Sequence, residues 1–217
     1  MHCTVDAATY AANPTLPKQL GDFSNRFNVM FEPSLAGRHG KQVNSLEGVK
    51  QTEDKLELFK YLQDIKAAPE CKILTEEGFT MEDAEVFNSG QLVGVSYDHK
   101  PAISPFSNQQ ELIEKLLKTK EGFFHGIHPS MEQEVFVGKA GKGSFVAPYE
   151  QKISVMEDDT EELLFGILDD LDLDFSNFKL AYDPVKDRVV VTDISVSFSK
   201  PMMPHIIKLL RTLDSKL

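Results

Sequence analysis

Apolar residues recur at steps of three and four along four stretches of the chain, and this spacing predicts four helices. Thr52 precedes the first, Ser107 and Gln110 form a capping box before the second, Asp159 and Glu162 repeat that signal before the third, and Pro204 fits the first turn of the last. The predicted buried faces are Leu58, Phe59, Leu62 and Ile65; Leu112, Ile113, Leu116 and Leu117; Leu163, Leu164, Ile167, Leu168 and Leu171; and Ile206, Ile207, Leu210, Leu213 and Leu217.

Between these stretches the chain carries strand and turn signals. Residues 134–137 and 144–147 flank a glycine-rich turn, and residues 178–182 and 188–199 flank a turn that contains Pro184. Residues 91–97 are a further predicted strand, and residues 152–156 add another beside the glycine turn. Because strands joined by tight turns run antiparallel, the sequence predicts an α+β fold: an antiparallel sheet built from hairpins, with about four helices packed mainly on one face.

The first 45 residues differ in composition from the rest of the chain. We predict a partly irregular N-terminal arm over 1–45 and a single α+β domain over 46–217. Phe23, Phe27 and Phe31 are spaced by four, which predicts three rings on one side of a short helix. Two interpretations stay open for these rings. They pack against the arm's own domain, or they dock into a partner or a second copy of the chain.

Acidity is concentrated in one part of the chain, residues 153–178, which we call the acidic segment. It carries nine carboxylates and no Lys, Arg or His, whereas the whole chain has a formal charge of -11. Such a field repels phosphate backbones and attracts a basic protein surface. Partner-binding residues are therefore predicted in the segment, together with Phe23, Phe27 and Phe31. These acidic residues are Asp158, Glu161, Asp169, Asp170 and Asp172.

One group of residues has the chemistry of a metal site. His125, His128 and Glu132 offer two imidazoles and a carboxylate, a donor set that suits a divalent transition metal. Gly126 and Pro129 interrupt any helix through them, so the ligands would come from a loop and the adjoining strand.

Several classes of protein are disfavoured. The glycine turn at 138–143 joins two strands and lacks the Gly-Lys-Ser order, so it is not a P-loop. The chain has no basic stripe for nucleic acid, no apolar run long enough for a membrane span and no signal peptide at its start. Cys3 and Cys71, the two cysteines, have unrelated contexts. We therefore expect a cytoplasmic protein that contacts neither nucleic acid nor membranes.

No complete catalytic motif accompanies these features. The sequence therefore favours a non-enzymatic acidic module for protein interaction or assembly, such as an inhibitor, an immunity or chaperone-like protein, or a component of a structural particle. It would have no cofactor and would bind another protein with a basic face or a second copy of itself. The alternative is a metal-dependent enzyme with a loop-and-strand site around His125 and His128.

Overall fold

The computed structural model describes residues 2–33, 39–74, 79–85, 87–97, 101–140, 143–149 and 158–215. The strands are β1 Cys3–Val5, β2 Phe27–Val29, β3 Lys41–Val43, β4 Cys71–Leu74, β5 Gly90–Ser96, β6 Pro101–Phe106, β7 Thr119–His125, β8 Gln133–Ala140, β9 Gly143–Pro148, β10 Phe175–Asp183 and β11 Arg188–Ser195. The helices are α1 Ala7–Ala12, α2 Leu16–Leu20, α3 Leu46–Glu53, α4 Lys55–Asp64, α5 Met81–Glu85, α6 Gln109–Leu116, α7 Asp158–Asp170 and α8 Met203–Asp214.

The α+β prediction is confirmed, and the two predicted hairpins form. Strands β8 and β9 pair antiparallel, from Val135 opposite Pro148 to Ala140 opposite Gly143, so residues 138–140 and 143 of the predicted turn belong to the strands. Strands β10 and β11 are joined by the turn at 184–187 and belong to the same four-stranded sheet, in the order β11-β10-β8-β9. The predicted strand at 152–156 lies outside the described residues. No helix among the described residues is long and apolar enough to cross a membrane.

Contacts within the chain define two compact units. Unit 1 comprises Met1–Glu53, Glu134–Phe178 and Ile194–Leu217, and unit 2 comprises Asp54–Gln133 and Lys179–Asp193. The predicted N-terminal arm over 1–45 thus belongs to unit 1. The stretch 46–217, predicted as one domain, contributes to both units.

Unit 1 contains a sheet that the pattern did not predict. Strands β1, β2 and β3 are parallel, with Cys3 opposite Phe27 and Phe27 opposite Lys41. Parallel neighbours need a crossover, and helices α1 and α2 lie in the connection from β1 to β2. The helix predicted through Phe23, Phe27 and Phe31 is wrong, because Phe27 begins β2. A short apolar run fits either state, and pairing with two strands decides it.

The core of unit 1 is built around the C-terminal helix. Pro204 lies in the first turn of α8, and the helix buries Ile206, Leu209, Leu210 and Leu213. These side chains share one cluster with residues of α2 and of strands β2 and β8. Three residues of the predicted apolar face, Ile206, Leu210 and Leu213, are therefore buried. Ile207 is partly buried, and Leu217 lies outside the described residues.

Unit 2 contains an antiparallel sheet in the order β4-β7-β5-β6. Leu92 and Phe124 on one face form a core with Leu112 and Leu116 of α6. Helix α6 is capped by Asn108, whose side chain accepts a hydrogen bond from the Glu111 amide at 2.9 Å. The cap thus lies one residue beyond the predicted Ser107.

The start of α4 also differs from its prediction. Asp54 caps the helix by accepting a hydrogen bond from the Glu57 amide at 3.2 Å. Thr52, predicted as the start signal, is the seventh residue of α3 and donates to the Val49 carbonyl at 2.8 Å. Three of the four residues predicted in the buried face, Leu58, Phe59 and Leu62, are buried. The fourth, Ile65, is the C-terminal cap and is only partly buried.

Candidate functional site

Six polar side chains of unit 2 converge into what we call the charged network. It holds two carboxylates, two ammonium groups, one amide and one hydroxyl, contributed by the first residue of α4, by strands β5, β10 and β11, and by the loop before β8. The members are Lys55, Gln91, Glu132, Lys179, Thr192 and Asp193. Their separation along the chain explains why no sequence motif marks the site.

Glu132 lies at the centre of this network, and its side chain is only 6% exposed. One carboxylate oxygen, Oε1, accepts hydrogen bonds from Gln91 Nε2 at 2.5 Å and from Thr192 Oγ1 at 2.6 Å. The other, Oε2, is 4.0 Å from the ammonium nitrogen of Lys179. A buried carboxylate is costly unless its oxygens are paired, and these partners offset that cost.

The second carboxylate, Asp193, is half-buried and lies between both lysines. Its Oδ1 is 2.8 Å from Lys55 Nζ, and its Oδ2 is 3.7 Å from Lys179 Nζ. Lys179 therefore contacts both carboxylates, and its side chain remains 35% exposed. Two positive and two negative groups balance each other, so the network is close to neutral although the chain as a whole is acidic.

A row of three paired residues crosses the neighbouring sheet. Cys71 of β4 and Gln91 of β5 both lie opposite His125 of β7, so the three side chains share a face. His125 is fully buried, and its ring stacks on Phe59 with the centroids 5.7 Å apart. Gln91 is thus shared between this row and the charged network, where it donates to Glu132.

Both titratable residues of this row are held neutral. Desolvation lowers the pKa of His125 to about 4, although the charge of Asp183 opposes this shift. Burial, with a contribution from the charge of Glu70, raises the pKa of Cys71 to about 11. A reactive cysteine and histidine pair needs the opposite shifts, toward thiolate and imidazolium. The row therefore lacks the pKa shifts of a reactive pair.

The predicted metal ligands lie in three different environments. His125 is buried, and its Nδ1 accepts a hydrogen bond from the Ile127 amide at 3.2 Å. His128 caps a short 3-10 turn by bonding to Ser130, and Glu132 belongs to the charged network. In the part of the chain that the structure describes, no group of three or more His, Cys, Asp or Glu side chains is placed to hold a metal ion. The structure therefore does not assemble the predicted ligands into one site.

The acidic residues predicted to bind a partner lie mostly at the surface of unit 1. Asp169, Asp170 and Asp172 are exposed and Glu161 is half-exposed, while the side chain of Asp158 lies outside the described residues. Asp169 forms an ion pair with Lys139, a balancing charge from a distant strand. Asp169 and Asp172 line a pocket of about 230 Å³ together with Asp174. Their role in partner binding stays a prediction.

Asp174 differs from the other acidic residues because it is tied into the fold. Its carboxylate accepts a hydrogen bond from the Asn44 amide at 2.9 Å, and burial is the main cause that raises its pKa. The Asn44 side chain in turn accepts from the amides of Asp174 and Phe175. The bonds between Asn44, which follows β3, and Asp174 therefore link the segment after α7 to the parallel sheet of unit 1.

The three phenylalanines predicted to contact a partner are buried in unit 1. Phe27 and Phe31 are 0% exposed and Phe23 is 7% exposed. Phe23 packs edge-on against Phe27, and Phe31 packs against Phe175 and Phe198. Of the two interpretations left open by the sequence, packing against the chain's own domain is the one seen here.

Sequence reasoning identified one member of the charged network, Glu132, and assigned it to a different site. Lys55, Gln91, Lys179, Thr192 and Asp193 were missed. One signal was available: Asp193 lies in β11 between the apolar run 189–191 and Ile194, and a charged residue in a largely buried strand needs a partner. The sequence does not show which lysine is that partner.

No protein-family model matches the chain, and no curated protein matches it. Solved structures do resemble it. A RimK domain ATP-grasp protein from Sphaerobacter thermophilus superposes with a TM-score of 0.57 at 15% identity, over 90% of this chain and 81% of that one. D-alanyl-alanine synthetase A from Vibrio cholerae gives 0.55 at 10% identity, over 88% and 75%.

A third structure is a RiPP-associated ATP-grasp ligase from Chryseobacterium gregarium, solved in complex with ADP and a leader and core peptide. It superposes with a TM-score of 0.51 at 13% identity, over 81% of this chain, which spans only 62% of that ligase. Likeness at such low identity shows the fold. The prediction of a non-enzymatic interaction or assembly module is wrong, because these three similar structures are an ATP-grasp protein, a synthetase and a ligase.

Proposed function

We propose that this protein is an ATP-dependent ligase that joins a carboxylate to a nucleophile such as an amine. The observation that carries the proposal is the charged network of unit 2, in which Lys55 and Lys179 lie beside two carboxylates. Lysine ammonium groups are common phosphate ligands in nucleotide sites. The fold likeness supports the same chemistry, since one of the similar ligases was solved with ADP.

The reaction needs ATP because a carboxylate is a poor acceptor for an amine in water. In the first step a substrate carboxylate oxygen attacks the terminal phosphorus of ATP, the bond to the bridging oxygen breaks, and ADP leaves. In the second step the nucleophile attacks the acyl carbon, phosphate leaves and the nucleophile loses a proton. Charge on the transferred phosphoryl group is the main quantity that the protein must stabilise.

Within this proposal the two lysines bind and orient phosphate oxygens. Lys179 suits this role because its side chain is 35% exposed while its ammonium group is held by two carboxylates. Lys55 is held more tightly, at 2.8 Å from Asp193. Glu132, with two neutral donors on one oxygen, fixes the position of the network and does not itself contact phosphate.

Nucleotides reach enzymes as magnesium complexes, so the fit of a divalent ion has to be considered. Magnesium is bound through one or two carboxylates together with substrate phosphates, and Glu132 and Asp193 supply two. The position that both carboxylates face is, however, that of the Lys179 ammonium group, at 4.0 Å and 3.7 Å. The donor set therefore fits phosphate well and a protein-bound divalent ion poorly, and no step is assigned to such an ion.

Nucleotide binding is the first test. Titration calorimetry with ATP and with ADP should show one site per chain, and Lys55→Ala should weaken binding by at least about tenfold, which corresponds to 1.4 kcal/mol. Lys60→Ala is the matched control, because Lys60 lies on the same helix but pairs with the exposed Glu57. Absence of binding at millimolar nucleotide, or equal losses in the two variants, would contradict the proposal.

Ligase activity is the second test. Incubation of ATP with mixtures of amino acids or peptides should release ADP and phosphate only when a carboxylate and a nucleophile are both present. Nucleotide binding without substrate-dependent release of ADP under any such mixture would separate a nucleotide-binding protein from a ligase.

A further inference from the structure

Lys179 occupies an unusual position in the charged network. Its ammonium nitrogen lies 4.0 Å from Glu132 Oε2 and 3.7 Å from Asp193 Oδ2, so it bridges two carboxylates from different parts of the chain. Glu132 is 6% exposed and Asp193 is 13% exposed. Lys55 pairs with the other oxygen of Asp193, so Lys179 is the cation near both Glu132 Oε2 and Asp193 Oδ2. Two largely buried carboxylates stabilise a positive charge that lies near both of them.

A divalent ion would meet that demand in many phosphate-binding proteins. Magnesium and manganese bind through one or two carboxylates and fill their remaining positions with water and phosphate oxygens. Here the charge comes from the chain itself. Oε1 of Glu132 already accepts hydrogen bonds from Gln91 and Thr192. Oε2 is therefore the oxygen that lies toward the ammonium group of Lys179.

We propose that Lys179 is a built-in cation that takes the place of a divalent metal ion between Glu132 and Asp193. The carboxylate pair is then a latent metal site, which binds manganese or magnesium once the ammonium group is removed. In the native protein the pair does not bind a divalent ion. The network keeps its charge balance at all metal concentrations because the cation is covalently tethered.

The consequence for nucleotide binding rests on the proposed function. If the network binds phosphate, Lys179 supplies there the positive charge that an ion held by the protein would otherwise supply. A divalent ion would then reach the site only as part of the nucleotide complex. The network would discriminate weakly among magnesium, manganese and calcium, since none of them is held by both carboxylates.

The test is a manganese titration of the nucleotide-free protein, followed by electron paramagnetic resonance of the free ion. We expect the wild type to bind no manganese between the two carboxylates. Lys179→Met should bind one ion there, at least about tenfold more tightly than any manganese that the wild type binds elsewhere. The double variant Lys179→Met/Asp193→Asn should lose that ion. This last arm distinguishes the latent site from weak binding by the exposed carboxylates of the acidic segment.

Lys186→Met is the matched control. Lys186 is also a partly buried lysine of unit 2, but the carboxylate near it, Glu70 at 4.0 Å, is 54% exposed. Its removal should create no manganese site. Melting curves and circular dichroism establish that each variant is folded. Should Lys179→Met fail to fold, Lys179→Gln takes its place, because the amide is polar but carries no charge.

Two results would overturn the inference. Manganese binding by the wild type that is lost in Asp193→Asn would mean that the lysine moves aside and that the pair is an ordinary metal site. A folded Lys179 variant that binds no more manganese than the wild type would mean that the lysine is only an ion-pair partner. Because no nucleotide is present, neither result bears on whether the protein binds ATP.

Discussion

His125 should make unit 2 sensitive to acid. The imidazole is fully buried, and desolvation lowers its pKa from 6.5 to about 4. Between pH 6.5 and about 4, His125 is protonated in the unfolded chain and neutral in the folded chain. The contribution of this residue is therefore fully present above pH 6.5 and is lost progressively as the pH falls toward 4. At 1.36 kcal/mol for each pKa unit, the loss is about 3 kcal/mol.

His125→Asn isolates this effect from the protonation of carboxylates in the same range. The Asn side chain can still accept the hydrogen bond of the Ile127 amide, which His125 Nδ1 accepts at 3.2 Å, but it does not titrate. The variant should be less stable than the wild type at pH 7.5 because it leaves a cavity beside Phe59. That deficit should shrink by about 3 kcal/mol between pH 7.5 and pH 4.

The assay should report on unit 2 by itself, because a chain with two compact units need not unfold in one step. Native-state hydrogen exchange of the Phe123 and Phe124 amides in β7, corrected for the pH dependence of the intrinsic exchange rate, gives the opening free energy at each pH. A nuclear magnetic resonance titration of the His125 ring measures its pKa directly. Parallel pH profiles for wild type and variant, or a ring that titrates near 6.5, would refute the reasoning.

Two further predictions concern unit 1. Gly48→Ala should destabilise it by about 3 kcal/mol in urea unfolding, since the new Cβ would lie 2.1 Å from the Leu171 carbonyl oxygen. Gly166→Ala is its control and should stabilise by about 0.5–1 kcal/mol, because nothing lies within 4 Å of that position and alanine favours the helix; equal effects would contradict the packing seen here. Asn44→Gly should cost about 2–3 kcal/mol for the hydrogen bonds that its side chain makes with Met30, Asp174 and Phe175. Asn44→Ala should cost about 1 kcal/mol more than Asn44→Gly, because the backbone φ of 62° disfavours a β-carbon. Thermal melting of both variants measures the difference, and an Ala variant as stable as the Gly variant would contradict it.

The charged network and the acidic segment have opposite electrostatic designs. The nine carboxylates of residues 153–178 have no basic neighbour in sequence, and those described lie mostly at the surface, where water solvates them. The two carboxylates of the network are largely shielded from water, and each is matched by an ammonium group. Net charge therefore describes the surface of this protein and does not indicate its candidate site.

Local patterns in the sequence determined much of the secondary structure. The apolar faces of α4, α6, α7 and α8 largely follow from the 3.6-residue period, because a helix brings residues three and four apart to one side without help from the rest of the chain. Leu117 is an exception: it was predicted in the buried face of α6, but it lies beyond the end of that helix and is 67% exposed. The hairpins β8–β9 and β10–β11 follow from turn residues between two short apolar runs. The cap of α6 was misplaced by one residue, since Ser107 and Asn108 are both good caps and only the fold selects between them.

Tertiary structure decided the rest. Phe27 lies in a parallel strand because β1 and β3 pair with it, and those partners are 24 and 14 residues away in the registers Cys3 with Phe27 and Phe27 with Lys41. His125 was a plausible metal ligand, but the fold bonds its Nδ1 to the Ile127 amide and places His128 and Glu132 in other environments. The network joins Lys55, Glu132 and Asp193 across most of the chain. The chemistry of the network depends on which charged side chains lie together in a buried site. Contacts between residues distant in sequence decide this, so no local pattern encodes it.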